Sequence, residues 1–576
     1  MNARNLTVPV TMPPQCHCER NIRRSSMALL SISLLIFAAS PSCLGAGDYG
    51  PTWESLKSAP VPEWIMDAKF GIYTHWGVYS VPAYMTNVYG QEMYAPEGAK
   101  KQPNRGMAVR RYHEENYGSI FEFGYKDFVP MFTAPKFDAA EWAQVMEDGG
   151  VKFAGICLVH HDGFCLWDSK FTRWDSMDMG PKRDIYGELA KEIRRRDIKL
   201  LATFHHARTY GHHTAFADGF SDEEKAKLDV YDPQYDDLYR NPKTVTREQF
   251  GTEWQNKINE VIRKYRPDAI WFDGLAKQLA QGIIDEAKLR QCIADYYNNG
   301  TPYVDHPIIM NKLPSGRVWN FPIGFGLRCY ENGRDMEADV RGDWLIDRAI
   351  GYPWTWVKNK RYKQDSSYHI VSLCDLVSRG GILLLSLTPK GDGSIPAEEV
   401  RIMREIGDWL KVVGEGIYGT RPWKTVAEGI DVAQIRTVAA DPKRAGELKA
   451  SWKFQALEAS KGEAIRFTRS KDFSSLYAFV IGVPDSGQVT INTLRKGNVE
   501  KNGKGIRSLA LLGSTEQIKW RQTGAGLTIK FPQTLPCKVA YGFRIKVNGR
   551  LDDAPREQFD DGIEREGDWP VYNSKR

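Results

Sequence analysis

A carboxylate at the end of a short apolar segment is the side chain whose position most directly suggests chemistry. Residues 269–272 are Ala-Ile-Trp-Phe and show no alternation, which predicts a parallel strand covered on both faces. Pro267 ends the amphipathic helix predicted over 254–265. In barrels of alternating strands and helices, chemistry takes place at the C-terminal ends of the strands. Asp273 is therefore a candidate catalytic residue, and the alternative is a turn aspartate in an Asp-Gly loop.

Histidines follow three of the other predicted strands. Eight of the eleven histidines lie between His75 and His213. Such side chains could bind a metal, could be structural, or could hydrogen-bond a polyhydroxylated ligand. The histidines at strand ends are His75 in the segment 69–77, His160 and His161 after 153–159, and His205 and His206 after 199–204.

The spacing of these histidines favours hydroxyl binding over metal binding. Adjacent residues of a strand point to opposite faces, so at most one histidine of each pair can face a shared ion. The helical i, i+4 pair typical of zinc peptidases is absent from the sequence. We therefore expect no metal, and a metal-dependent barrel hydrolase stays as an alternative.

Hydrolysis of a glycosidic bond needs two carboxyl groups. Asp273 supplies the first. Glu331 closes a strand predicted over 325–330 and is the first candidate for the second, with Glu337 in the following loop as the alternative. Burial and a neighbouring carboxylate raise the pKa of such an acid, so no motif chooses between the two glutamates.

The strands that carry these residues alternate with helices along the first 420 residues. Six or seven strand–helix units are visible, which favours a (β/α)8-type barrel, regular, irregular or incomplete, over an open sheet. Two long segments, 78–136 and 215–252, are predicted to be loops, and the first is expected to cover a site. The other predicted strands are 307–311 and 381–386, and the helices are 137–146, 183–196, 283–297, 369–378 and 400–413.

The pattern changes near Arg421-Pro422. Short alternating segments broken by Gly, Asn and Pro follow, which is typical of an antiparallel β-sandwich. A chain of 576 residues is also too long for one compact core. The predicted domains are a leader over 1–46, the barrel over 47–420, the sandwich over 421–550 and a polar tail over 551–576.

The first 46 residues predict a secretory signal peptide. Residues 27–39 are apolar, follow Arg23 and Arg24, and are too short to span a membrane. Secretion or a periplasmic location is expected. The net charge is +6, and the leader contributes four Arg and one Glu, so +3 remains without it. That mixed balance gives no basic field for nucleic acid.

Four blocks together resemble the α-L-fucosidases of glycoside hydrolase family 29. The similarity extends from about residue 53 to 547, and 379–385 and 414–422 continue it. The blocks are 69–84 (KFGIYTHWGVYSVPAY), 160–170 (HHDGFCLWDSK), 174–183 (WDSMDMGPKR) and 267–274 (PDAIWFDG).

The resemblance implies a retaining mechanism on a barrel followed by a β-sandwich, with terminal α-L-fucose of fucosylated glycans as substrate and no metal or cofactor in catalysis. Asp273 resembles the nucleophile, and Glu331 best matches the acid/base. The residues expected to contact the sugar are His75, His160 and His161, which match hydroxyl-binding histidines, and Trp76 and Trp167, which would wall the pocket.

Two departures from the family pattern stand near the predicted site. Many members end the third strand with Tyr and Ser, whereas this chain has His205 there. Many carry an Arg near Asn311, whereas here Lys312, or the more distant Arg317, must serve. A galactose-like or sulfated sugar is therefore an alternative substrate, and a non-catalytic glycan-binding protein is a second alternative.

Overall fold

The computed structural model describes most of the chain from Tyr49 onward, and the described residues form one compact unit. No helix in the described part combines the length and the apolar character needed to cross a membrane. The predicted leader, Arg317, Glu337 and nearly all of the predicted tail lie outside the described residues. Those residues are 49–98, 103–313, 321–322, 325–332, 343–362, 364–430, 457–500, 504–552, 565–566 and 569–570.

Eight parallel strands close into a barrel. Neighbours in the chain pair with each other, and β8 pairs with β1, with Phe70 opposite Leu383. The predicted barrel is confirmed, and its closure is complete. The strands are β1 (Phe70–Thr74), β2 (Phe153–Val159), β3 (Lys199–Phe204), β4 (Ala269–Phe272), β5 (Ile308–Leu313), β6 (Leu327–Glu331), β7 (Trp344–Ala349) and β8 (Ile382–Leu387).

Strand β4 shows why a barrel strand can be an uninterrupted run of apolar residues. All four of its residues are buried. Ile270 and Phe272 belong to the core between the barrel and its helices, while Ala269 and Trp271 belong to the core inside the barrel. Each face of the strand therefore meets apolar side chains, as expected of a parallel strand.

Helices cover the outside of the barrel. Asp138 caps α5, where its carboxylate accepts from the amides of Ala140 and Glu141, as predicted. α10 starts earlier than expected, because Thr246 and Gln249 form a capping box before it. The main helices are α5 (Ala139–Asp148), α6 (Ile185–Arg195), α10 (Arg247–Tyr265), α12 (Glu286–Asn299), α13 (Ser366–Ser378) and α14 (Ala397–Val413).

Helices also occur in the two segments predicted to be loops, so the prediction of irregular structure there was wrong. The longest, α4, has the sequence PNRGMAVRRYHEENY, whose few apolar residues hide its helical period. The remaining helices are α1 (Trp53–Lys57), α2 (Glu63–Ala68), α3 (Tyr89–Glu92), α4 (Pro103–Tyr117), α7 (Thr214–Ala217), α8 (Asp222–Lys225), α9 (Asp236–Tyr239) and α11 (Leu275–Ala280).

Two antiparallel sheets follow the barrel, as predicted for the sandwich. One has the order β13-β16-β11-β10-β9 and the other β12-β15-β14. Their facing side chains form a separate core that includes Trp423, Phe467 and Phe543. The strands are β9 (Arg421–Gly429), β10 (Ala464–Arg469), β11 (Ser475–Ile481), β12 (Gln488–Ile491), β13 (Ile506–Leu511), β14 (Trp520–Gln522), β15 (Leu527–Lys530) and β16 (Ala540–Val547), with β17 (Arg565–Glu566) and β18 (Trp569–Pro570) as a separate pair.

A buried ion pair joins the sandwich to the barrel. Arg466 on β10 is fully buried and hydrogen-bonds Asp375 on α13, which also binds Arg379. Arg421, the first residue of β9, lies where the sequence pattern changes. The predicted domain limits themselves stay a prediction.

Candidate active site

The ends of neighbouring strands bring Asp273 and His205 together. Phe204 on β3 lies opposite Phe272 on β4, so the residue after each strand end also becomes a neighbour. His205 Nε2 is 3.2 Å from Asp273 Oδ2, although at an angle that falls short of a good hydrogen bond. The backbone amide of Asp273 donates to the Phe204 carbonyl over 2.9 Å, and this hydrogen bond fixes the backbone from which the Asp273 side chain extends.

An ammonium group lies among three carboxylates at the same end of the barrel. Lys312 follows Asn311, which pairs with Phe272, and its Nζ donates to Asp273 Oδ2 over 2.8 Å. Nζ is also 3.1 Å from Asp347 Oδ2 and 3.6 Å from Glu331 Oε2. Lys312 therefore provides the positive charge that these carboxylates share.

The charges of this cluster follow from burial and pairing. Burial raises the pKa of Asp273, but attraction to Lys312 and His205 outweighs it and holds this pKa well below its ordinary value. Burial lowers the pKa of Lys312, while Asp273 and then Asp347 raise it well above the usual range. At neutral pH the pair is an ammonium and a carboxylate.

Asp347 differs from Asp273 although both bind Lys312. It lies inside the barrel on β7 with no exposed surface, and burial raises its pKa to about 6 despite the nearby ammonium. Tyr73 Oη lies 3.4 Å from its Oδ2, and Cys329 Sγ lies 3.3 Å from its Oδ1. This carboxyl changes its charge closer to neutral pH than Asp273 does.

Three predicted histidines meet His205 around this cluster. The ring centroids of His75 and His205 are 5.2 Å apart, those of His160 and His205 5.4 Å, and those of His161 and His205 5.9 Å. Burial first, and then the other imidazoles, lower the pKa of His75, His160 and His161 well below the ordinary value. These three rings are neutral at physiological pH.

The hydrogen bonds of the histidine rings leave some ring nitrogens available to a ligand. His161 Nδ1 is 2.9 Å from the carbonyl of His205, and a carbonyl only accepts, so Nε2 of His161 carries the lone pair. His75 Nδ1 is 2.9 Å from Ser386 Oγ, and His160 Nε2 is 3.3 Å from Asn87 Nδ2. His160 Nδ1 is buried without a partner among the described residues. Such an atom needs a ligand or water to satisfy it.

The two predicted wall residues make their contacts elsewhere. Trp76 Nε1 donates to the carbonyl of Lys390 over 2.7 Å, and its ring packs among other aromatic rings. Trp167 Nε1 donates to Glu260 over 2.9 Å. Among the described residues, no ring–ring contact joins either indole to a histidine of the cluster, so their role as walls stays a prediction.

Two other indoles contact the cluster. The Trp354 ring is 5.1 Å from the ring of His75 and 5.2 Å from Lys312 Nζ. Trp271 is 5.8 Å from the His205 ring and 5.4 Å from Lys312 Nζ. The sequence prediction missed Trp354 because it missed β7, whose mixed sequence WLIDRA shows neither alternation nor an apolar run.

Glu331 is the last residue of β6 and is partly exposed, with 30% of its side chain accessible. Its Oε2 and Asp273 Oδ2 lie 3.6 and 2.8 Å from the same nitrogen, so they are no more than about 6.4 Å apart. The two carboxyl groups therefore face one small space. Among the described residues, no group of three or more His, Cys, Asp or Glu is arranged to hold a metal ion.

Comparison with known proteins adds the family to this geometry. The Alpha-L-fucosidase family model matches residues 36–415. The chain belongs to the alpha-L-fucosidase family. The model of the Alpha-L-fucosidase C-terminal domain matches residues 459–546, within the two-sheet region. Members are glycoside hydrolases, and this chain is one too.

Relatives and solved structures of this family cover nearly the whole length. The Alpha-L-fucosidase of Branchiostoma floridae is 27% identical over 90% of this chain and 99% of its own length. That of Dictyostelium discoideum is 27% identical over 85% and 92%. A crystal structure of Thermotoga maritima alpha-fucosidase in complex with fucose is 26% identical, with a TM-score of 0.60 and coverage of 86% of this chain and 100% of that one.

Proposed function

We propose that this protein is a retaining exo-α-L-fucosidase that removes terminal α-L-fucose from fucosylated glycans, with Asp273 as nucleophile. The observation that carries the proposal is the shared ammonium, which limits the Asp273–Glu331 oxygen separation to about 6.4 Å. Carboxyl groups about 5–5.5 Å apart are typical of retaining enzymes, whereas inverting enzymes need about 6.5–9.5 Å to hold a water molecule.

In the first step Asp273 Oδ attacks the anomeric carbon while Glu331 gives its proton to the glycosidic oxygen, and the aglycone leaves as an alcohol. In the second step Glu331 takes a proton from water, and the resulting oxygen nucleophile displaces Asp273. Lys312 and His205 keep Asp273 ionised and oriented before the attack. The proposal that metal is absent from this step is tested by chelation, which should leave turnover unchanged.

Neutral imidazoles suit a ring of neighbouring hydroxyls. His160 Nδ1 and His161 Nε2 are free to bind ligand in the described structure, and each neutral ring can donate or accept. We assign the sugar hydroxyls to His75, His160 and His161. The ammonium of Lys312 is already held by Asp273 and Asp347, which gives no support to a sulfated sugar.

The acid/base role goes to Glu331 rather than Asp347. Both lie near Lys312, but Asp347 is closed off inside the barrel, whereas Glu331 is partly exposed and can reach a leaving group that must depart into solvent. Glu331→Ala should slow fucosides with poor leaving groups by about 10²–10⁴-fold and activated aryl fucosides much less. Azide should restore part of the activity.

If Asp347→Ala or Glu337→Ala shows that leaving-group pattern and Glu331→Ala does not, the assignment of Glu331 is wrong.

The reaction itself is tested on a panel of aryl glycosides with the product followed by NMR. We expect turnover of the α-L-fucoside, with α-L-fucose as the first product because two displacements retain configuration. Release of β-L-fucose first, or preference for a galactoside, would contradict the proposal. Secretion or a periplasmic location, proposed from residues 1–46, predicts a mature protein that begins near residue 47.

A further inference from the structure

The segment after β7 presents two aromatic side chains in different environments. Trp354 is 9% exposed and contacts His75 and Lys312. Tyr352, two residues earlier, is 70% exposed, the highest value among the exposed large hydrophobic residues of the described chain. Two residues span at most about 7–8 Å. The exposed Tyr352 side chain is therefore attached to the backbone close to Trp354, which borders the proposed fucose site.

Side-chain hydrogen bonds hold the backbone of this segment in place. Lys360 Nζ donates to the carbonyl of Pro353 over 3.1 Å and to Thr388 Oγ1 over 2.6 Å. Tyr362 Oη donates to Glu399 over 2.8 Å. A ligand that stacks on a ring attached to a fixed backbone does not also have to order that backbone.

The segment after β1 lies against the segment after β7. The Lys358 amide donates to the Ala83 carbonyl over 2.9 Å, so the two segments touch. The segment that carries Tyr352 and Trp354 is thus also held by the segment after β1.

We propose that Tyr352 forms the aromatic surface of the subsite for the leaving-group sugar of the substrate. The inference rests on the proposed fucosidase function and deepens it. A pyranose has one C–H face that packs on an aromatic ring. Trp354 borders the fucosyl site and Tyr352 borders the next sugar.

Two substrates separate this subsite from the chemistry. α-L-Fucosyl fluoride has a single atom as leaving group and cannot occupy the subsite, whereas an α-L-fucosyl disaccharide must. Tyr352→Ala should lower kcat/KM for the disaccharide by about tenfold and change kcat/KM for the fluoride less than about twofold. Tyr352→Trp should restore the disaccharide value.

A matched control is Tyr303→Ala. Tyr303 is 47% exposed and precedes β5, at the other end of the barrel, so both kcat/KM values should stay at the parent level.

The outcomes distinguish the two proposals. A parent protein that does not cleave the fluoride overturns the proposed function and this inference with it. A parent that cleaves both substrates, with Tyr352→Ala slowing both equally or neither, overturns only the subsite. A Tyr352→Ala protein that changes its oligomeric state in light scattering while its selectivity stays the same assigns the tyrosine to contact with a second copy, and also overturns the subsite.

Discussion

The two ends of the barrel each bury a lysine, and the two lysines behave in opposite ways. At the C-terminal end Lys312 lies within 3.6 Å of three carboxylates, and its pKa is raised well above the usual range. At the N-terminal end Lys69 precedes β1 with no exposed surface, and its Nζ has no hydrogen-bond partner among the described residues. Burial lowers the pKa of Lys69 to about 7.

The contrast shows that carboxylates in direct contact decide whether a buried lysine of this barrel is charged. Burial alone drives a lysine toward its neutral form, as at Lys69, where Arg421 adds repulsion and Asp67 and Asp343 compensate only in part. Carboxylates in direct contact reverse that effect at Lys312. A fixed ammonium then keeps Asp273 ionised in a buried place, which is what a nucleophile requires.

The largest expected effect comes from removing the nucleophile. Asp273→Ala should lower turnover of an aryl fucoside by about 10⁴-fold or more, because no other described carboxylate has its position and ionised state. Cooperative unfolding should persist, since Lys312 keeps Asp347 and Glu331 as partners. Steady-state kinetics and thermal unfolding measure the two effects.

Asp305→Ala, which removes an exposed carboxylate at the other end of the barrel, is the control. Turnover of Asp273→Ala within about tenfold of the parent would remove Asp273 from the role.

Removal of the ammonium should have the next largest effect. Lys312→Met leaves three carboxylates close together, and we expect kcat/KM to fall by about 10²–10³-fold. The pKa of Asp273 would rise, so the acid limb of the pH profile should move to higher pH. Lys312→Arg, which keeps the charge, should retain most of this profile. An unchanged acid limb in Lys312→Met would show that the lysine does not set the charge of Asp273.

A smaller effect is expected from the second carboxylate of Lys312. Asp347→Asn should change kcat/KM by about tenfold at most. The folded-state pKa of Asp347, about 6, lies above the ordinary value, so its contribution to stability is present at low pH and is lost as the pH rises through about 6. The parent should therefore lose about 2 kcal/mol between pH 4 and 7 that Asp347→Asn does not lose.

Chemical unfolding at pH 4, 5, 6 and 7 compares the two proteins. Parallel stability curves would contradict the raised pKa of Asp347.

Much of the fold, but only part of the candidate site, could be predicted from the sequence. Strands β2, β3 and β4 have the predicted limits because their mostly apolar residues are nearly all buried. Strand β7 was missed because Asp347 and Arg348 are buried polar residues whose partners come from distant strands and helices. A short mixed segment gives no signal of those partners.

The same reason explains which site residues could be predicted. Asp273 and the histidines stand directly at strand ends, so topology alone brings them together. The contacts of Asp347, Tyr73 and Trp354 depend on side-chain directions inside a closed barrel and in a loop, which no local pattern encodes. Lys312 was predicted as a sugar contact, whereas its described partners are carboxylates.

The smallest effect on activity should come from the other buried lysine. Lys69→Met removes an amine whose folded-state pKa, about 7, lies below the ordinary value. The unfolded chain binds the proton more tightly, so charging this lysine costs stability in full below about pH 7, and the cost vanishes as the pH rises toward 10. The variant should be more stable than the parent by about 4–5 kcal/mol at pH 6, with nearly equal stability near pH 10 and unchanged kcat/KM. A loss of activity comparable with that of Lys312→Met would mean that the two ends of the barrel are not independent, because a lysine without a carboxylate contact would then support the same chemistry.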